Sequence, residues 1–253
     1  MIELDHLTKK FGTFYAVRDL SLRVPPGEIF GFLGPNGAGK TTTIRMMAGL
    51  MKPSSGLILL DGKDVARQPE QAKAILGYIP DRPYLYEKLT GGEFLEFIAG
   101  LHRLDPKDGW KRRSEELLEF FDLLSWRHEL IESYSHGMRQ RLIISAALLH
   151  RPKVLVIDEP MVGLDPRGVN LVKSLLRDRV GSGVSIFLST HTLAMAEEVC
   201  QRIGIIHEGQ LISLGTMEEL REQARSRDER LEPIFLKLTE ADRTADLKNP
   251  PTG

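Results

Sequence analysis

The segment Gly34-Pro35-Asn36-Gly37-Ala38-Gly39-Lys40-Thr41 constrains this chain more than any other. It fits the pattern of a phosphate-binding loop in full: glycine, four residues, glycine, lysine, threonine. The short apolar run Ile29-Phe30-Gly31-Phe32-Leu33 precedes it, and Lys40 to Leu50 follows with helical character. The loop therefore lies between a strand and a helix, the context it requires. Its glycines let backbone N–H groups turn inward onto phosphate oxygens, where a Cβ would block approach. The helix from Lys40 aims the positive end of its dipole at the same point. Lys40 is placed to bridge β- and γ-phosphates and Thr41 to hold Mg²⁺ through its hydroxyl, with Pro35, Asn36, Ala38 and Thr42 completing the cradle.

Two further runs, Val154 to Ile157 and Val184 to Leu188, are short, β-branched and mostly apolar. Strands apolar on both faces belong in a buried parallel sheet covered by helices. The first run ends in Asp158-Glu159. An acid at the end of a central parallel strand faces the same crevice as the glycine-rich loop. Asp158 suits the Mg²⁺ shell, and Glu159, one residue on, is placed to polarise a water attacking the γ-phosphate. Two adjacent acids could also cap a helix or face solvent.

Between about Arg82 and Arg151 the pattern becomes helical. Thr90-Gly91-Gly92-Glu93 has capping-box spacing, and Phe94, Phe97, Ile98 and Leu101 follow with helical period. Ser114 to Phe121 and Gly137 to Leu149 read as two more helices, the last closed by Pro152. Ile203 to Ile206, a Glu208-Gly209 turn and Leu211 to Leu214 read as a hairpin. Beyond about Thr239 the tail, with Asn249-Pro250-Pro251, reads as loose.

Composition excludes some partners. The formal net charge is −1, so no global basic field points to nucleic acid or to an anionic membrane surface. The single cysteine, Cys200, cannot form an internal disulfide, which fits a reducing cytosol. The first ten residues do not read as a signal peptide, and no stretch approaches the ~18 apolar residues of a membrane span.

Taken in chain order, these motifs resemble those of the nucleotide-binding subunits of ABC transporters. Tyr134-Ser135-His136-Gly137-Met138-Arg139-Gln140-Arg141 is similar to the family's signature segment. The resemblance implies that it opens a helix and caps the γ-phosphate held by the opposite subunit. Ser135 with the free N–H groups at Gly137 and Met138 makes an anion site without fixed charge, although Ser135 also reads simply as an N-cap. Phe11 resembles the aromatic that stacks on adenine; it also reads as a core residue at a strand edge. Gly163-Leu164-Asp165 resembles the dimer-contacting loop, while Asp165-Pro166 reads equally as N-cap and first helical residue. His191 resembles the switch histidine that contacts the γ-phosphate. Asp81, after Gly77-Tyr78-Ile79-Pro80, stands where the family commonly has glutamine; it is an open candidate for a Mg²⁺ contact. His136 and Met138 stand where many relatives have glycine and glutamine. Tyr84-Leu85-Tyr86-Glu87-Lys88-Leu89-Thr90, Glu93 to Phe97 and Leu231 to Thr239 look like the ABC-2-type exporter branch.

The resemblance implies an α/β P-loop NTPase: a RecA-like parallel sheet core with an N-terminal antiparallel β subdomain and an inserted α-helical subdomain. One ATPase domain is expected over 1–239, its core from 1–81 and 152–222 and its helical signature subdomain from 82–151, followed by a short tail over 223–253. The function implied is hydrolysis of ATP with Mg²⁺, with Glu159, His191 and Lys40 catalytic. It further implies a dimer with itself or a homologous subunit, docked on a separate integral membrane permease at the inner face of the cell membrane. A soluble ATPase of the same type in a cofactor-assembly complex is the alternative.

Overall fold

The computed structural model describes residues 1–82, 84–226 and 230–248. Strands β1 (Ile2–Phe11) and β2 (Phe14–Val24) turn Leu4, Leu7, Leu20 and Leu22 inward and leave alternate residues in solvent. That alternation suits an antiparallel sheet with one wet face. By contrast β3 (Ile29–Leu33) is buried throughout and runs into the glycine-rich loop and helix α1 (Lys40–Met47). The chain returns to the first sheet through β4 (Ser55–Leu60) and β5 (Lys63–Asp64), giving the order β2-β1-β4-β5.

After α2 (Pro69–Ala74), strand β6 (Leu76–Ile79) enters a second sheet. Three helices follow: α3 (Gly91–Leu101), α4 (Trp110–Phe120) and α5 (His136–Leu148). The core then resumes with β7 (Val154–Asp158), α6 (Pro166–Gly181), β8 (Ser185–Ser189), α7 (Leu193–Val199) and the hairpin β9 (Arg202–His207) and β10 (Gln210–Gly215). Helices α8 (Met217–Gln223) and α9 (Leu231–Lys248) end the described chain. The second sheet has the order β10-β9-β3-β8-β7-β6 and is parallel except for the hairpin.

Both faces of this sheet are dry. Along β7, Val154 and Val156 pack with Phe30, Phe32, Phe187 and the α1 residues Ile44 and Met47. Leu155 and Ile157 pack on the other side with Ile186, Leu188, Val172 and Leu176. Because β3, β8 and β7 are neighbours, their carboxyl ends coincide, and Asp158 pairs with Ser189 in the register. That places the glycine loop, the acid pair and His191 at one crevice, the usual ligand position in an open parallel sheet.

The capping box is present as read: the Thr90 N–H donates to Glu93 at 2.8 Å and the Glu93 N–H to the Thr90 hydroxyl at 3.2 Å. Two boundaries differ from the sequence reading. Helix α4 starts at Trp110 rather than Ser114, since Gly109 takes a left-handed φ of 68° that lets the helix begin there and buries Trp110. The tail is not loose from Thr239: α9 runs on to Lys248, because its first turns are anchored by buried Leu231 and Ile234 against Leu33, Ile203 and Ile205. Its one proline before Pro250, Pro233, sits in the first turn, where no intrahelical N–H bond is lost, and Asn249-Pro250-Pro251 lie outside the described residues.

Candidate active site

Gly39, the N-cap of α1, has φ 110°, and a Cβ there would sit 2.4 Å from the Ala16 carbonyl oxygen. Only glycine allows the loop to close this tightly. No side chain caps the first turn of α1, so its N–H groups face the cavity beside it uncommitted to any cap. The Lys40 Nζ folds back and donates to the Gly34 carbonyl at 2.6 Å and the Pro35 carbonyl at 3.0 Å. Burial pushes its pKa below the usual lysine range, and the nearby charges of Glu159 and Asp158 oppose that shift. A buried ammonium held by carbonyl dipoles has strong affinity for an anion.

Across the crevice, Thr41 Oγ1 donates to Asp158 Oδ2 at 3.2 Å. Burial raises the Asp158 pKa, and the negative charges of Asp81 and Glu159 act the same way. The next residue, Glu159, is held at φ 51°, and its N–H donates to the Ser189 carbonyl at 3.0 Å. A non-glycine residue in that conformation costs roughly 1–2 kcal/mol, so the surrounding contacts must hold it there. Two are visible at its carboxylate. The Thr190 hydroxyl donates to one oxygen at 3.1 Å, and His191 Nδ1 lies 2.7 Å from the other. Both oxygens are thereby fixed in direction.

One cavity of about 370 Å³ is lined by Phe11, Phe14, Ala16, Asn36, Gly37, Gly39, Lys40, Thr41, Thr42, Asp81, Asp158, Glu159 and His191. Gly34 and Pro35 contribute the carbonyls that hold Lys40, while Ala38 is buried beneath the loop and does not line the cavity. The sequence reading missed Thr190 and Phe14. Thr190 is almost fully buried and follows β8, whose neighbour carries the acid pair; its place beside Glu159 depends on that pairing. Phe14 had a local signal, being the aromatic directly after the Phe11-Gly12 turn, and it is 62% exposed where Phe11 is 49% exposed.

Ser135, His136, Gly137 and Met138 are not among the cavity's lining residues, and neither is Asp165. Ser135 is the N-cap of α5, its hydroxyl accepting from the Met138 N–H at 3.3 Å. Asp165 is the N-cap of α6 and accepts from the Gly168 N–H at 2.9 Å. The capping readings of both residues therefore hold, and each remains free to meet something outside this chain.

The donors fit a Mg-nucleotide. Thr41 and Asp158 supply a hydroxyl and a carboxylate, both oxygen ligands of the kind a small hard cation takes. Among the described residues no group of three or more His, Cys, Asp or Glu could hold a metal. A cation here must complete its shell with phosphate oxygens and water, as Mg²⁺ does at P-loops. No helix among the described residues is long and apolar enough to cross a membrane.

Sheet order, glycine cradle and paired acids together define a P-loop nucleoside triphosphatase. Residues 17–162 match the family described as ABC transporter. The chain is 37% identical over 242 residues to the ABC-type transporter ATP-binding protein EcsA of Bacillus subtilis (strain 168), covering 96% of this chain and 98% of that protein. It is 39% identical to the bacitracin transport ATP-binding protein BcrA of Bacillus licheniformis, covering 89% of this chain and 72% of that one. A solved structure of the ATP-binding subunit of an ABC transporter superposes with a TM-score of 0.90 at 34% identity, covering 94% of this chain and 99% of that one. The chain belongs to the ABC transporter family, as one of its ATP-binding, ATP-hydrolysing subunits.

Proposed function

We propose that this chain powers an exporter as one half of an ATP-closed dimer, docked on a separate membrane permease at the inner face of the membrane. The observation that carries the dimer is the split between cavity and lid. Lys40, Thr41, Asp158, Glu159 and His191 share one cavity, and the capped N-terminus of α5 lies outside it. The Met138 N–H is taken by the Ser135 hydroxyl, but a helix start with that hydroxyl and the Gly137 N–H is suited to phosphate, and the phosphate it covers is the one held by a second subunit, either a copy of this chain or a homologue. Bacitracin transport, named for the relative from Bacillus licheniformis, supports a role in transport.

In the proposed site Phe11 stacks on the adenine and the loop Gly34 to Thr42 wraps the phosphates. Lys40 exchanges its two carbonyl acceptors for phosphate oxygens. Thr41 and Asp158 would hold Mg²⁺, with Asp81 lining the same cavity, and the cation would neutralise phosphate charge. Glu159 accepts the proton of the attacking water, its carboxylate aimed by Thr190 and His191. His191 then reports on the γ-phosphate through the same carboxylate. Asp165 and its loop meet the other subunit. Hydrolysis removes the contacts that hold the two subunits closed, and the opening is passed to the permease through the helical segment 82–151. The 1–81 and 152–222 portions form the nucleotide core in this reading, and 223–253 is an appended tail.

Glu159→Gln tests this. The variant should bind ATP, hydrolyse it at least ~10²-fold more slowly and accumulate a dimer in Mg-ATP. A monomer by light scattering under those conditions overturns the dimer reading.

A further inference from the structure

The first turn of α5 is locked to the loop that leaves the acid pair, and the lock is made by a residue whose side chain the reaction does not otherwise use. Gly163 has φ 78°, and a Cβ built on it would lie 2.0 Å from His136 Nδ1 and 2.6 Å from His136 Cε1. The imidazole thus occupies the space directly over the bare Gly163 backbone. Beside it, a Cβ on Gly137 would lie 2.9 Å from the Gly163 carbonyl oxygen. One turn further, the fully buried Gln140 donates through Nε2 to the Pro160 carbonyl at 3.3 Å. Three successive contacts therefore join the start of α5 to residues 160–163, which begin immediately after Glu159.

We propose that His136 is a positioning residue: its ring keys the α5 lid to the Gly163 loop, so that each subunit's lid moves with that subunit's own Glu159. The proposal rests on the dimer reading above. In that dimer the lid covers the partner's nucleotide while Glu159 acts on its own. A shift of Glu159 on ATP binding or hydrolysis in one cavity then displaces the phosphate cap over the other, and the two sites act in concert. A packed contact of this kind passes on such a shift because close-packed groups do not deform continuously. The contact is one of shape, since a planar ring is matched to a residue with no side chain.

The test uses full-length protein with Mg-ATP and inorganic phosphate release as readout. The unmodified chain should show a Hill coefficient for ATP well above unity. His136→Ala should bring it close to unity and lower kcat several-fold, with the thermal midpoint unchanged because His136 is exposed. His136→Phe, which keeps a flat ring, should retain the cooperativity. Gly163→Ala should lose activity through both the clash and its left-handed backbone, and the loss should be roughly threefold or more smaller when His136→Ala has cleared the space. Unchanged cooperativity in His136→Ala, a Phe variant that behaves like Ala, or strictly additive losses would each overturn the proposal. The same substitutions placed in the Glu159→Gln background separate the two ideas. A dimer there with unaltered cooperativity in His136→Ala overturns the role of His136 alone, whereas a monomeric Glu159→Gln protein overturns both.

Discussion

Acid should loosen the joint between the helical segment and the sheet by an amount that follows from one histidine. His150 lies just after α5, with Nε2 3.1 Å from the Leu76 carbonyl of β6. Its ring stacks on His102, at the end of α3, with centroids 3.8 Å apart and planes 11° from parallel. Burial, then the neighbouring His102 charge, pushes the His150 pKa down from 6.5 to about 4. His102 is lowered too, by burial. A histidine with a depressed folded pKa binds fewer protons folded than unfolded between those two values. Its contribution is thus fully present above pH 6.5 and is lost as pH falls towards 4. For the shift from 6.5 to about 4, linkage gives a loss of about 2 kcal/mol between neutral pH and pH ~5. Against a typical total of about 5–15 kcal/mol that is a measurable fraction. Urea unfolding at pH ~7.5 and ~5 should show this loss in the natural chain and most of it absent in His150→Gln, which retains an N–H for the Leu76 carbonyl. Equal losses in the two proteins, within about 0.5 kcal/mol, would refute the assignment of the half-buried stacked pair as the acid-sensitive element.

Two further outcomes bear on the active site. Thr190→Val removes the donor to the Glu159 carboxylate; a hydrogen bond to a charged group contributes about 1.5–3 kcal/mol, so kcat should fall roughly ten- to hundredfold while KM for ATP changes little. Steady-state phosphate release separates the two constants, and a pure KM effect would place Thr190 in binding instead. Phe11→Ala should raise KM for ATP on the order of tenfold, from the loss of one base-aromatic stack. Phe14→Ala should do less, because Phe14 is the more exposed of the two rings. The reverse order by calorimetry would assign the adenine contact to Phe14.

Much of the site was legible because its parts are local. The glycine loop and its flanking strand and helix occupy consecutive residues, as do Asp158-Glu159 at the end of an apolar run and the Thr90/Glu93 capping box. Each is fixed by backbone geometry within one turn or one strand end. What escaped depended on partners distant in sequence. Thr190 touches Glu159 across 31 residues only because β7 and β8 are neighbours in the sheet. The extension of α9 past Thr239 reflects anchoring of Leu231 and Ile234 on β3 and β9, since helix stability in a globular protein comes mainly from packing of one face.

By itself, then, the chain's order of residues determined a phosphate cradle, an acid pair at a strand end and a family of ATPases, since each is set by neighbours along the backbone. Tertiary structure alone decided that His136 rests on Gly163 and that Thr190 reaches Glu159. Both follow from how sheet and helices pack in three dimensions, and no spacing within a single segment encodes where two separate segments will meet.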